Sequence, residues 1–179
     1  MIYLFLANGF EEIEALATVD VLRRCSLETK TVSIGSSKNV DGAHGMIVCA
    51  DLLFSEISEN SADALVLPGG MPGADNLSKH DELACLLKEQ NAKGKLIAAI
   101  CAAPMVLGKL GLLDGRKATC YPGFESYLKG ATPTGNMVEI DGNIITGKGP
   151  AAAIPFATAI ASRFVDGKKV KEVLEGMLF

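Results

Sequence analysis

The chain has 179 residues and a mass of 18.7 kDa, close to one ordinary domain. Its 49% hydrophobic and 21% charged content, with a mean hydropathy of +0.28, excludes a disordered chain. A formal charge of −4, no Trp and only 6% aromatic residues leave neither a basic stripe nor a stacking platform, so no nucleic-acid partner is expected.

Neither a membrane span nor a targeting segment is expected. The longest apolar run, residues 96–107, is 12 residues long and is interrupted by Pro104. Residues 1–7 are apolar but too short for a signal-peptide core, and no basic residue precedes them. The five cysteines form no CxxC pair and the chain holds only His44 and His80, so neither a metal site nor a disulfide framework is expected. A reducing cytoplasm is the expected location.

In chain order, residues 2–7 read as a buried strand ended by Asn8-Gly9. Residues 11–24 read as a helix, acidic in its first turn and basic at Arg23 and Arg24, matching the helix dipole. Within it, Asp20 is expected to pair with Arg24, and Glu11 and Glu12 to be solvated dipole partners. The β-branched run 29–34 is a second strand, and residues 40–49 form a hairpin-like region.

Residues 64–67 form a further strand, ended by Pro68-Gly69-Gly70, and residues 81–92 a helix stopped near Gly94. A strand at 96–100 leads into a short helix at 103–110. Strands at 138–140 and 144–146 flank the turn Asp141-Gly142-Asn143. Two helices close the chain, at 151–164 with Pro155 tolerable only in the first turn, and at 168–178. Apolar strands alternating with helices predict one α/β domain over residues 1–179, with a mainly parallel sheet covered on both faces.

In such a fold, ligands lie beyond the carboxyl ends of the strands. Three segments reach that edge: 8–14, 68–73 and 100–104. Cys101 stands where a strand turns sharply into a helix, the place of a nucleophile elbow, with small Ala99 and Ala103 around it. N–H groups at the start of the following helix favour a thiolate there. The Gly69-Gly70 turn allows close approach of backbone N–H groups to a ligand, although it also reads simply as a tight turn. A protonated Glu14 facing Cys101 is positioned to donate a hydrogen bond to the sulfur. Structural roles are expected for Cys25, Cys49 and Cys120, whereas Cys85 lies off the Leu83/Leu87 row and faces outward.

At these residues the sequence resembles the ThiJ/PfpI family (the DJ-1 superfamily), in its small DJ-1-type branch. The matching stretches are residues 6–14, 19–24, Val66 to Gly70, Ala98 to Pro104, and Gly149-Pro150. The resemblance implies a flavodoxin-like, class I glutamine amidotransferase-like three-layer sandwich, usually a homodimer. It implies that Cys101 is an oxidation-prone nucleophile, Glu14 its protonated partner, and the N–H groups of Gly70 and Ala102, beside Gly69, an anion-binding pocket.

The family's activities imply cofactor-free glyoxalase chemistry (methylglyoxal to lactate) or deglycation, with a small reactive aldehyde or glycated group as partner. Redox sensing and chaperone-like protection without turnover are the alternative. Many relatives carry a histidine where this chain has Tyr121, so a Cys–His protease pair is not expected. His44 is an accessory candidate, reaching the sulfur from this chain or across a dimer interface.

Overall fold

The computed structural model describes residues 1–58 and 62–179. A seven-stranded sheet runs through the centre, built from β1 (Ile2–Leu6), β2 (Thr29–Ser33), β5 (Leu52–Leu53), β6 (Ala64–Leu67), β7 (Leu96–Ile100), β10 (Val138–Asp141) and β11 (Ile144–Gly147). Its strand order is β10-β11-β7-β6-β1-β2-β5, and every pairing except β10–β11 is parallel. Strands β1, β6 and β7 are buried along their whole length, which explains why they read as unbroken apolar runs. Each Leu, Ile or Phe side chain removed from water there contributes roughly 1.5–3 kcal/mol.

Helices cover both faces. Helix α1 (Glu12–Arg24) packs on α5 (Ala153–Ala161), while α2 (Gly73–Ser78) contacts α3 (Asp81–Ala92) and α4 (Pro104–Lys109). The last helix, α6 (Gly167–Gly176), is started by Asp166, whose side chain accepts from the Lys169 N–H at 2.8 Å. The result is the α/β arrangement expected from the alternating pattern, in the flavodoxin-like three-layer form that the resemblance implies. Among the described residues, no helix is long and apolar enough to cross a membrane.

Most element boundaries fall within two residues of the sequence reading. Helix α5 is shorter than residues 151–164, because Pro150–Ala152 forms a 3-10 turn and Pro155 then sits in the first helical turn. The hairpin-like region is a separate antiparallel pair, β3 (Asn39–Asp41) with β4 (Ile47–Cys49). A second small pair joins β8 (Lys117–Ala118) to β9 (Thr132–Pro133) in parallel. Arg24 and Asp20 form the expected ion pair at 2.6 Å.

The topology fixes the site. Strand β1 is followed by a return to β2 on one side and β6 on the other, so the chain changes direction between β1 and β6. A crevice opens at such a point beyond the strand ends. The segments after β1, β6 and β7 all reach it.

Candidate active site

Cys101 follows β7 directly and has a backbone φ of 65°, in the left-handed region that a non-glycine residue enters only at a cost. The surroundings hold it there. Its N–H donates to the Gly147 carbonyl at 2.9 Å, and its own carbonyl accepts from the Tyr121 N–H at 2.8 Å. Ala103 closes the turn by donating to the Ile100 carbonyl at 3.0 Å, and Pro104 opens α4. Cys101 is 8% exposed, and that opening faces a cleft of about 490 Å³.

Glu14 lies one turn into α1 and is fully buried, at 0% exposure. Its Oε2 accepts from the Gly69 N–H at 2.7 Å. Its Oε1 is buried with no hydrogen-bond partner of good geometry among the described residues. The carboxyl lies against the Cys101 thiol within hydrogen-bonding reach, and the N–H groups of Gly70 and Ala102 are directed at the same sulfur. The structure therefore brings Cys101, Glu14, Gly69, Gly70 and Ala102 together, although they span positions 14 to 102 of the chain.

Gly69 and Gly70 are required for different reasons. A Cβ on Gly69 would lie 2.6 Å from Cys101 Cβ and 2.7 Å from Glu14 Oε2, so only hydrogen fits between the two groups. Gly70 has φ 87°, and a Cβ there would run into the Glu11 N–H and the Gly9 carbonyl. The turn is a close-packed part of the site rather than a simple loop.

The electrostatics differ from a simple thiolate pocket. Burial raises Glu14 to about 7, against the lowering effects of the Cys101 and Gly69 hydrogen bonds. Burial, followed by the charge and hydrogen bond of an ionised Glu14, pushes the Cys101 thiol up to about 12, against the N–H groups of Gly70 and Ala102. The lowering of Cys101 by a helix N-terminus does not dominate, because α4 is only six residues long and the sulfur is largely desolvated. The two groups titrate as a pair. With both groups raised, the pair can hold one proton between them.

The cleft rim holds the accessory residues. His44 lies on the β3–β4 connection, its Nδ1 2.9 Å from Glu12 Oε2 and 3.5 Å from Glu11 Oε2. The Glu12 hydrogen bond, with the charges of Glu11 and Glu12, raises the His44 pKa. Among the described residues its partners are these carboxylates rather than the sulfur. Tyr121 lines the cleft half-exposed, edge-on to Phe124 at 6.4 Å between ring centroids.

Glu11 and Glu12 depart from expectation, because both are buried. Glu12 Oε1 accepts the His44 N–H at 2.7 Å, tying the hairpin to α1. Burial raises the Glu12 pKa, but the hydrogen bonds from His44 and nearby backbone outweigh it and hold the group low. A carboxylate in a first helical turn usually faces water, and the hairpin that covers these two arrives some 30 residues later. A sequence signal did exist in Gly42, whose absent Cβ leaves the space that the Glu12 carboxylate fills. The donor atoms of Glu11, Glu12 and His44 lie within 4.8 Å of one another, a spacing compatible with a cation. Glu12 is nevertheless already engaged by backbone N–H groups.

Of the remaining cysteines, Cys25 and Cys120 are buried while Cys49 and Cys85 are exposed. Cys25 caps the end of α1, Cys49 lies in β4, and burial raises both Cys25 and Cys120.

Known proteins are similar to this chain in sequence and in fold. DJ-1 homolog B of Arabidopsis thaliana is 39% identical over 170 residues, 94% of this chain, and the chain spans 39% of that relative's length. A protein named as a deglycase from Pyrococcus horikoshii is 32% identical over 151 residues, covering 83% of this chain and 90% of the relative. The solved structure described as oxidized Toxoplasma gondii DJ-1 superposes with a TM-score of 0.94 at 36% identity, covering 99% of this chain and 97% of the other. The model of the DJ-1/PfpI family matches residues 1–163. With a family match across nine-tenths of its length and this topology, the chain belongs to the DJ-1/PfpI family, in its DJ-1-like branch.

Proposed function

We propose that Cys101 is the nucleophile of a cofactor-free enzyme acting on small reactive aldehydes, of the glyoxalase or deglycase type. One observation carries this reading: a cysteine held at φ 65° with its sulfur between the Glu14 carboxyl and two backbone N–H groups. The relative named as a deglycase supports it. In the shared-proton state, burial favours a proton on the Glu14 carboxyl, and the Gly70 and Ala102 N–H groups favour charge on the sulfur. The thiolate–carboxylic acid form is the reactive one.

With methylglyoxal, the thiolate adds to the aldehyde carbon, and the developing oxyanion takes the N–H groups of Gly70 and Ala102. Glu14 supplies the proton that completes the hemithioacetal. The carboxylate so formed removes the proton from the former aldehyde carbon and delivers it to the neighbouring carbon, while the hydroxyl proton passes to the neighbouring oxygen, leaving the thioester of lactate. Water hydrolyses the thioester to lactate and restores the thiol and acid. Oxidation state balances within the substrate, since one carbon is oxidised as its neighbour is reduced. Purified Cys101→Ser should consume no methylglyoxal above the uncatalysed rate, and turnover at the wild-type rate would refute the reading.

A second reading uses the same sulfur. One peroxide oxidises the thiolate to sulfenic acid, releasing water, and a second gives sulfinic acid, which Glu14 and the two N–H groups suit as hydrogen-bond donors. The oxidized state named for the Toxoplasma relative favours considering it. After mild peroxide treatment, Cys101 should gain two oxygens before the exposed Cys49 and Cys85. Earlier oxidation at those two thiols would count against a sensor.

The chain also fits a homodimer. Ile13 and Leu16 on α1, with Met46 and Ile47 at the β3–β4 turn, are exposed apolar residues, and Ile13 and Met46 line the cleft. Sedimentation equilibrium should give twice the chain mass, and Ile13→Glu with Ile47→Glu should give monomer. A monomeric wild type would exclude this assembly.

A further inference from the structure

The cleft in front of Cys101 is electrically lopsided. Its walls are largely apolar, formed by residues such as Met46, Met71, Tyr121 and Phe124, and among the described residues no lysine or arginine lines it. The charged groups along its lining are Glu11, Glu12 and His44. His44 holds Glu12 through two close contacts, its backbone N–H at 2.7 Å from Oε1 and its ring Nδ1 at 2.9 Å from Oε2. That leaves the Glu11 carboxylate, 9% exposed, with His44 at 3.5 Å as its one charged partner among the described residues. Two carboxylates thus face one imidazole, so the cluster is net negative whether or not His44 holds its second ring proton.

We propose that Glu11 sets the charge selectivity of the Cys101 cleft, admitting uncharged α-oxoaldehydes and repelling carbonyl compounds that carry a carboxylate, such as α-oxo acids. The inference rests on the nucleophile reading and extends it to a substrate class. Two parts of the cleft have opposite duties. Deep in it, the N–H groups of Gly70 and Ala102 meet the partial charge that develops on a carbonyl oxygen only during attack. Elsewhere in the lining, a substrate with a permanent carboxylate meets Glu11 and, among the described residues, no lysine or arginine to compensate. Apolar walls suit a neutral molecule with an alkyl or aryl substituent.

The test compares alkylation of Cys101 at pH 7 by neutral iodoacetamide and anionic iodoacetate, read by mass spectrometry at that residue. In both reactions a sulfur–carbon bond forms and iodide leaves. Both reagents attack the same thiolate, so any change in thiolate fraction cancels from the ratio of their rates. Glu11 makes no capping hydrogen bond to α1, so Glu11→Gln leaves the helix start intact. That variant should raise the iodoacetate-to-iodoacetamide ratio about fivefold or more. His44→Gln, at an exposed position, removes an imidazole whose pKa the hydrogen bond to Glu12 and the charges of Glu11 and Glu12 raise, and should lower the ratio. An unchanged ratio in either variant overturns the assignment. If wild-type Cys101 reacts with neither reagent, both the selectivity and the nucleophile reading fall.

Discussion

Glu14 and Cys101 meet across the bare face of Gly69, with the carboxyl oxygen and the cysteine Cβ both within 2.7 Å of where a Gly69 Cβ would stand. Three strands contribute to this meeting. The helix after β1 brings the carboxyl, the turn after β6 brings the glycine, and the turn after β7 brings the thiol. The Gly69 N–H then fixes Glu14 Oε2 at 2.7 Å, and the Gly69 carbonyl accepts the Glu11 N–H at 2.9 Å, locking the helix start to the turn.

Replacing Gly69 by Ala therefore strikes the site before the fold. The nearest atoms are a cysteine Cβ, a fixed carboxylate oxygen and the Ile100 carbonyl, none of which is the free end of a flexible chain. Gly69→Ala should lose at least about a hundredfold in methylglyoxal turnover, the scale expected when reacting groups shift by about 1 Å. Gly167→Ala is the control, because nothing lies within 4 Å of the added methyl. Steady-state kinetics on both variants checks this, and near-normal turnover in Gly69→Ala would contradict the geometry.

The buried Glu14 also gives stability a pH dependence of known sign. A carboxyl whose folded value is raised from 4.5 to about 7 binds its proton more tightly when folded. Its contribution is fully present below 4.5 and is lost as pH rises through about 7. Glu14→Gln carries no such proton. The stability difference between variant and wild type should shift in the variant's favour between pH 5 and pH 8, as measured by urea denaturation. Comparison with wild type cancels the titration of groups unaffected by the substitution, and a pH-independent difference would show that Glu14 is not raised.

Much of this was legible in the sequence, and the omissions have physical causes. Strands such as Leu96–Ile100 are buried on both faces and so declare themselves by composition alone. Helix α2 was not, because Gly73–Ser78 has six residues, too few for an apolar period, and follows a Gly-Met-Pro run that reads as a turn. The two-residue strands β5, β8 and β9 owe their pairing to tertiary placement rather than local propensity. At the site, Cys101 and Glu14 stood out by position along the chain, and Ala99 and Ala103 marked the tight turn. The burial of Glu11 and Glu12 depended on a hairpin distant in sequence, and local reasoning about helix ends placed them in water.

The pH dependence of Cys101 alkylation by iodoacetamide tests the shared proton most directly. If Glu14 takes up the proton as the sulfur ionises, the rate should climb to an inflection near 7, set by the first proton the pair releases, and then level off. In Glu14→Gln that inflection should vanish, with reactivity at pH 7 falling by about tenfold or more as the thiol titrates alone at higher pH. A wild-type rate that keeps rising about tenfold per pH unit through pH 9 with no break would mean that the sulfur stays protonated at neutrality. That result would leave the fold intact and remove the nucleophile.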